Sequence, residues 1–212
     1  MRVKDVMTKE VLTVQPGTSL KEVARLLVGR RVSGVPVVDG DGTVVGVVSE
    51  GDILVKERAR RGPTSELAHL LDWDDGDRAR HDACDAAGAM TAPAVTIRPS
   101  RPISEAASLM LDRCVNRLPV VDKNRRLVGI VTRADLVRAF ARSDGEIERD
   151  IREDVIMRTL WRTPDRFGVV VDAGEVTING EMADAESANV LMQLVERVPG
   201  VVRVRSDITW PH

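Results

Sequence analysis

Aromatic side chains are nearly missing from this chain of 212 residues: there is no tyrosine, and two phenylalanines and three tryptophans bring the aromatic share to 2%. Proteins that hold single-stranded nucleic acid stack bases on aromatic rings along a basic groove. Here neither rings nor excess charge are available, because 31 basic and 33 acidic residues leave a net charge of −2. That balance also removes any bulk attraction to anionic lipid. Histidine is scarce too, and neither His69 nor His81 stands in a recognisable triad. No glycine-rich phosphate loop with a lysine occurs, so the chain does not read as an enzyme. The two cysteines, Cys84 and Cys114, lack the close spacing of a bridge or a redox motif and read as free thiols in a reducing compartment. His81-x-x-Cys84 is half a metal site without a second pair of ligands, and the acidic run Asp72–Asp77 is off register for calcium, so no metal or required cofactor is expected. No stretch approaches ~18 apolar residues and no apolar leader opens the chain, which predicts a cytoplasmic protein without membrane contact.

What the chain does have is a repeat. Residues 7–54 align without a gap on residues 90–137, and 17 of the 48 positions are identical. Met7-Thr8 becomes Met90-Thr91, Pro36-Val37-Val38-Asp39 becomes Pro119-Val120-Val121-Asp122, and Gly46–Asp52 becomes Gly129–Asp135. Two copies of one supersecondary unit follow, each covering a face the other exposes. Within a copy the order is strand, helix, strand, strand, helix. In the first, Val11–Val14 is a short strand stopped by Pro16-Gly17, and Thr18 or Ser19 caps a helix whose apolar face is Leu20, Val23, Ala24, Leu26 and Leu27. Asp39–Gly42 is the hairpin turn between strands Val35–Val38 and Val44–Val48. The second copy repeats this with Ile103, Ala106, Ala107, Leu109 and Met110 on its helix. The charged segment between them is expected to be helical at Ser65–Leu71 and near Arg78–Ala87. After Ser143 the pattern changes: Ile147, Ile151, Val155 and Leu160 mark a helix, Phe167–Asp172 and Glu175–Met182 are strands, Val190, Leu191, Leu194, Val195 and Val198 face one side of a second helix, and Val202, Val204 and Ile208 alternate along a last strand. This α-β-β-α-β unit is acidic: residues 146–212 hold 8 arginines and 13 carboxylates, a net of −5.

Each copy ends on glycine, two apolar residues, Ser or Thr, two residues and Asp. Ser49-x-x-Asp52 and Thr132-x-x-Asp135 have the spacing of a capping box, which needs no ligand. The same geometry suits a nucleotide: a helix N-terminus attracts phosphate, a cap hydroxyl donates to it, and a carboxylate one turn on accepts both ribose hydroxyls. The two readings are compatible.

Both copies resemble CBS motifs, and residues 1–141 resemble a CBS pair, or Bateman module. The resemblance rests on the Met-Thr starts, on Val35–Asp39 and Leu118–Asp122, and on the two Gly-to-Asp runs. It implies an α/β (α+β) fold in which two pseudo-two-fold repeats enclose clefts for AMP, ADP, ATP or S-adenosylmethionine, and it implies a homodimer. The binding set carried over is Thr18, Val32, Ser33, Gly34, Pro36, Ser49 and Asp52 in the first copy and Arg101, Val115, Asn116, Arg117, Pro119, Thr132, Arg133 and Asp135 in the second. Ser49 and Thr132 would meet phosphate, Asp52 and Asp135 ribose, and Val32-Ser33-Gly34 and Val115-Asn116-Arg117 adenine. Glu50 opposes phosphate beside the first site, whereas Arg133, with Arg101 and Arg117 available, favours it at the second, so the Thr132/Asp135 cleft is expected to bind phosphate better. Residues 143–212 resemble a BON domain through Val169–Gly180 and Val198–Val204. That family is associated with envelope proteins and lipid or ligand binding, but an acidic domain is disfavoured at anionic membranes, so contact with an unknown protein partner is expected instead. The domain boundaries read as 1–57 and 89–141 for the repeats, 58–88 for the linker and 143–212 for the last unit. The functional expectation is a non-catalytic sensor of bacterial-type architecture. The rival is a structural dimer whose clefts bind nothing.

Overall fold

In a computed structural model, the structure describes residues 1–60, 83–161 and 163–210. The helix expected at Ser65–Leu71, the Asp72–Asp77 turn, His69, His81 and the first half of Arg78–Ala87 lie outside the described residues. The chain divides into two compact units, Arg2–Arg133 and Ala134–His212.

The first unit opens on a single helical turn, α1 (Val3–Val6). Helix α2 (Leu20–Arg30) starts at the N-cap Ser19, whose hydroxyl accepts from the Glu22 N–H at 3.3 Å and donates to the Glu22 carboxylate at 2.9 Å. Thr18 is not the cap; its hydroxyl accepts from the Gln15 N–H. Leu20, Val23 and Leu27 are buried, as their i, i+3, i+7 spacing requires. Strands β1 (Gly34–Val38) and β2 (Val44–Ser49) form an antiparallel hairpin, and helix α3 (Glu50–Arg60) begins directly after it. Asp39 shapes the turn by accepting from the N–H groups of Asp41 and Thr43 at 3.0 and 2.9 Å. After the turn α4 (Ala86–Ala89) the second repeat follows suit with α5 (Ile103–Asp112), β3 (Arg117–Val121) and β4 (Leu127–Thr132); its closing helix α6 (Arg133–Phe140) belongs from Ala134 onward to the second unit. Asp122 serves its turn as Asp39 does, accepting from Asn124 and Arg126.

The strand expected over Val11–Val14 reduces to one parallel bridge, Val14 to Val37, because Pro16-Gly17 turns the chain two residues later; Ile97 bridges Val120 in the same way. The repeats also exchange their starts. Thr91 pairs with Val47 of β2 through N–H···O bonds of 2.9 and 3.2 Å, and Thr8 pairs with Ile130 of β4 through two of 2.9 Å. Gly129 makes this possible, since a Cβ there would lie 2.6 Å from the Met7 sulfur and 3.0 Å from the Thr8 carbonyl oxygen; Gly46 leaves the matching room for Met90. Buried Ala86 joins Val14, Val23, Leu27, Val35, Val37 and Val48 in the core of the first repeat, with Met90 packed against it.

In the second unit, α7 (Asp144–Asp150) runs into nine residues of π-helix, Ile151–Thr159, where the Leu160 N–H reaches back five residues to the Val155 carbonyl. The apolar spacing Ile147, Ile151, Val155, Leu160 is wider than the 3.6-residue period, and the π geometry keeps the first three buried on one side. Strands β5 (Phe167–Asp172), β6 (Glu175–Glu181) and β7 (Arg203–Thr209) form one sheet in that order, antiparallel then parallel, with α8 (Ala185–Glu196) as the crossover. Both residues of the β5–β6 turn have positive φ, Ala173 at 48° and Gly174 at 78°, the requirement of a tight right-twisted hairpin. The Asp144 carboxylate holds that turn, accepting from Ala173 N–H and Gly174 N–H at 2.9 Å each. Arg152 closes the outer edge of β5 by donating to the Phe167 and Val169 carbonyls. Ala188, Leu191 and Val195 are the buried face of α8, and Val190, expected on that face, is 43% exposed. Among the described residues no helix is long and apolar enough to cross a membrane.

Candidate functional site

The end of β2 and the first turn of α3 set the first group. Asp52 is 7% exposed, and its Oδ2 accepts from the Ser49 N–H at 2.7 Å and from the Ser49 hydroxyl at 2.8 Å. This is a reversed cap: the carboxylate one turn into the helix holds the residue that precedes it. It fixes the hydroxyl and the carboxylate side by side at a helix N-terminus.

The start of β3 brings the second group to the same place. Val47, Ser49 and Asp52 line a cleft of about 160 Å³ together with Thr91, Ala94, Val95, Cys114, Val115, Asn116 and Arg117. Arg117 is 8% exposed and donates to the Ser33 hydroxyl at 2.7 Å, across to the other repeat. Burial pulls its guanidinium down from the ordinary arginine value, and the carboxylates of Glu50 and Asp52 push it back up. The side chain finds room because Gly34 has none. A Cβ on Gly34 would lie 2.7 Å from the Arg117 Cζ and 2.8 Å from the Val48 carbonyl oxygen. Gly34 and Arg117 occupy the same position in the two copies, each paired in register with the Ser49 or Thr132 of its own hairpin. One guanidinium therefore fills a space that two could not share.

The structure thus brings together Ser33, Gly34, Ser49, Asp52, Val115, Asn116 and Arg117 from the expected set. Pro36 and Pro119 are buried in their strands, and their carbonyls accept from the Val14 and Ile97 N–H groups of the same repeats. Val32 closes α2 by donating to Leu27, and Thr18 sits in the loop with Gln15. Thr132 ends β4, Arg133 donates its N–H to the Asn116 carbonyl, and Asp135, buried in α6, pairs with Arg138 at 3.0 Å. Two features of the expectation change. The segment Val115-Asn116-Arg117, expected beside adenine, lines the cleft of Ser49 and Asp52 from the other copy. The arginines assigned to the Thr132 side are dispersed: Arg117 extends to Ser33, and Arg101 is held by Glu105 at 2.6 Å beside a different groove. The basis for a stronger phosphate site at Thr132 is accordingly weakened, and a cation stands opposite Glu50 in the first cleft.

Thr91, Ala94, Val95, Cys114 and Val47 were not anticipated as lining. The exchanged Met-Thr segment of the second copy carries the first three there, through the pairing of Thr91 with Val47 and of Met90 with the space at Gly46. At about 160 Å³ the cleft is smaller than the ~300 Å³ at which small-molecule sites begin, so a nucleotide must extend past its mouth or widen it. No group of three or more metal-ligating side chains occurs among the described residues.

Comparison with known proteins gives a consistent picture. The CBS domain family matches residues 3–57 and 85–142, and the BON domain family matches residues 143–211. A homoserine O-acetyltransferase of Methanohalobium evestigatum is 30% identical over 136 residues, 64% of this chain but 23% of that protein. The CBS domain-containing protein CBSX2, chloroplastic, of Arabidopsis thaliana is 32% identical over 157 residues, 69% of this chain and 66% of the relative. The solved structure of CBSX2 in complex with AMP matches at a TM-score of 0.57 and 34% identity, covering 65% of this chain and 95% of that one. The CBS domain pair of protein MJ0100, in complex with 5'-methylthioadenosine and S-adenosyl-L-methionine, matches at a TM-score of 0.54 and 26% identity, covering 66% and 95%.

Proposed function

The chain belongs to the CBS-domain family and carries a BON domain at residues 143–211, and from that premise we propose that it is a non-catalytic sensor whose paired repeats bind an adenosine nucleotide. The observation that carries this reading is the meeting, in one cleft, of Ser49 and Asp52 from one repeat with Asn116 and Arg117 from the other. In this reading Asp52, whose Oδ1 is not used by Ser49, accepts from the ribose, and Ser49, Ser33 and Arg117 face the phosphate. Val115 and Asn116 border the base, as Val32 and Gly34 do from the other copy. Thr132, Arg133 and Asp135 are the matching elements of the second repeat, with Thr18, Pro36, Arg101 and Pro119 as supporting positions. AMP stands in the CBSX2 complex and S-adenosyl-L-methionine in that of MJ0100, so AMP, ADP, ATP and S-adenosylmethionine are the ligands to test. A buried guanidinium favours those that carry phosphate. The likeness to the acetyltransferase covers 23% of its length and supplies no argument for catalysis here.

A homodimer fits the bare positions of the repeats. Val28 and its equivalent Leu111 are 79% and 69% exposed, and Leu54 and its equivalent Val137 are 66% each. Both copies leave the same two helix positions uncovered, which a second copy would cover through one repeated contact. The BON domain is then left for a protein partner, in a cytoplasmic setting. One observation favours the rival reading of a structural dimer with silent clefts: Asp52 already has work as the partner of Ser49. Melting temperatures separate the two. A ligand bound at a hundred times its Kd adds about 2.7 kcal/mol, so the sensor shows a rise with at least one adenosine ligand and none once Asp52 is alanine. No rise with any ligand at millimolar concentration leaves the structural reading standing.

A further inference from the structure

The second repeat carries a groove that the first repeat does not reproduce chemically. It has a volume of about 500 Å³ and lies between α5 and the β3–β4 turn, lined by Thr96, Ile97, Arg98, Arg101, Glu105, Leu109, Val121, Asp122 and Arg125. Its size is within the range of small-molecule sites. Its floor is apolar, with Ile97 4% and Val121 5% exposed. Three arginines line it: Arg98 and Arg101 from the two ends of the turn before α5, joined by the Arg101 N–H donating to the Arg98 carbonyl at 3.1 Å, and Arg125 from the β3–β4 turn.

Sequence equivalence between the copies separates what the fold needs from what it does not. Glu105 and Asp122 correspond to Glu22 and Asp39, and each has a structural duty: Asp122 accepts from the turn N–H groups, and Glu105 pairs with Arg101. Arg98, Arg101 and Arg125 correspond to Gln15, Thr18 and Gly42. The same fold therefore forms with no cation at any of these three positions. No ion pair holds Arg98 or Arg125 among the described residues. Arg125 moreover occupies a left-handed conformation, φ 63°, where its equivalent is Gly42 at φ 80°. A bulky side chain at such a position costs backbone energy that glycine does not. An arginine kept there against the local preference points to a role for its charge.

The geometry points to a second binding site in this groove, distinct from the Ser49/Asp52 cleft, for a small organic molecule bearing phosphate. Guanidinium groups recognise phosphate through paired N–H donors, and the Ile97, Leu109 and Val121 floor takes the apolar part of the ligand. Such a site gives the repeats a second input beside the adenosine ligand.

The test uses the full chain and inorganic pyrophosphate as the probe, titrated by calorimetry at low and moderate salt. The decisive variant carries the first repeat's own residues, Arg98→Gln, Arg101→Thr and Arg125→Gly, which this fold accommodates elsewhere; its melting temperature is expected to match or exceed the wild type. Arg98→Gln and Arg125→Gln are made singly as well, and Arg117→Gln serves as the control for the other cleft. Saturable pyrophosphate binding that weakens roughly tenfold per guanidinium removed, the scale of one charge-assisted hydrogen bond, and that survives Arg117→Gln supports the site. Absence of saturable binding in the wild type overturns it, and so does binding that Arg117→Gln abolishes while the triple variant retains it.

Discussion

Replacing Gly34 by alanine puts a methyl group into the space that Arg117 occupies. The new Cβ would stand 2.7 Å from the Arg117 Cζ and 2.8 Å from the carbonyl oxygen of Val48. The first contact can be relieved by moving a side chain, at the expense of the 2.7 Å bond to Ser33. The second cannot be relieved without shifting the β1–β2 hairpin. Overpacking of this kind costs about 1–3 kcal/mol. Arg117→Ala removes the first clash and leaves the second. The double variant is therefore expected to be more stable than the sum of the single effects by at least about 0.5 kcal/mol, the coupling typical of residues in contact. Urea unfolding of the four proteins, with m-values compared to confirm a common unfolding reaction, measures this directly. Strict additivity, or an alanine at position 34 without cost, would refute the claim that one guanidinium fills the space left by the missing side chain.

Two further outcomes follow from the C-terminal unit. Asp144→Ala removes both acceptors of the β5–β6 turn and is expected to destabilise the BON domain by about 1–3 kcal/mol while leaving ligand binding by the repeats unchanged; a loss seen equally in both units would contradict the local account. The Ser143 backbone N–H and then its hydroxyl hold the Glu146 carboxyl below the ordinary glutamate range. A carboxylate with a depressed folded pKa adds stability that is complete above its unfolded value and is lost as pH falls through the folded value. The acid limb of the unfolding curve should therefore be shallower in Glu146→Gln than in the wild type, and parallel limbs would remove the capping box from the explanation.

Much of the fold was legible because its signals are local. The helix cap at Ser19, the turn aspartates Asp39 and Asp122, and the Phe167–Asp172 strand each follow from residues within one turn or ladder of each other. The repeat itself announced the pairing of two α/β units. The cleft was legible in its parts and not in its assembly. Ser49 and Asp52 follow from spacing, whereas the arrival of Asn116 and Arg117 beside them depends on contacts between residues more than 60 positions apart. The exchange of Met7-Thr8 and Met90-Thr91 between hairpins belongs to the same class, since nothing near Gly46 in sequence shows that a methionine will fill its place. Val190 illustrates the opposite failure: its periodicity matches a buried face that the helix turns outward. The π-helix was half visible, in apolar spacings of four, four and five residues.

In the function proposed above, the Ser49/Asp52 cleft, with Arg117 across it, selects adenosine ligands that carry phosphate. Calorimetric titration of AMP and of adenosine into the wild type and into Arg117→Gln tests it most directly. The account predicts saturable AMP binding that falls roughly tenfold in the variant, with adenosine binding unchanged. AMP binding that is equal in the two proteins, or lost together with adenosine binding, would contradict it.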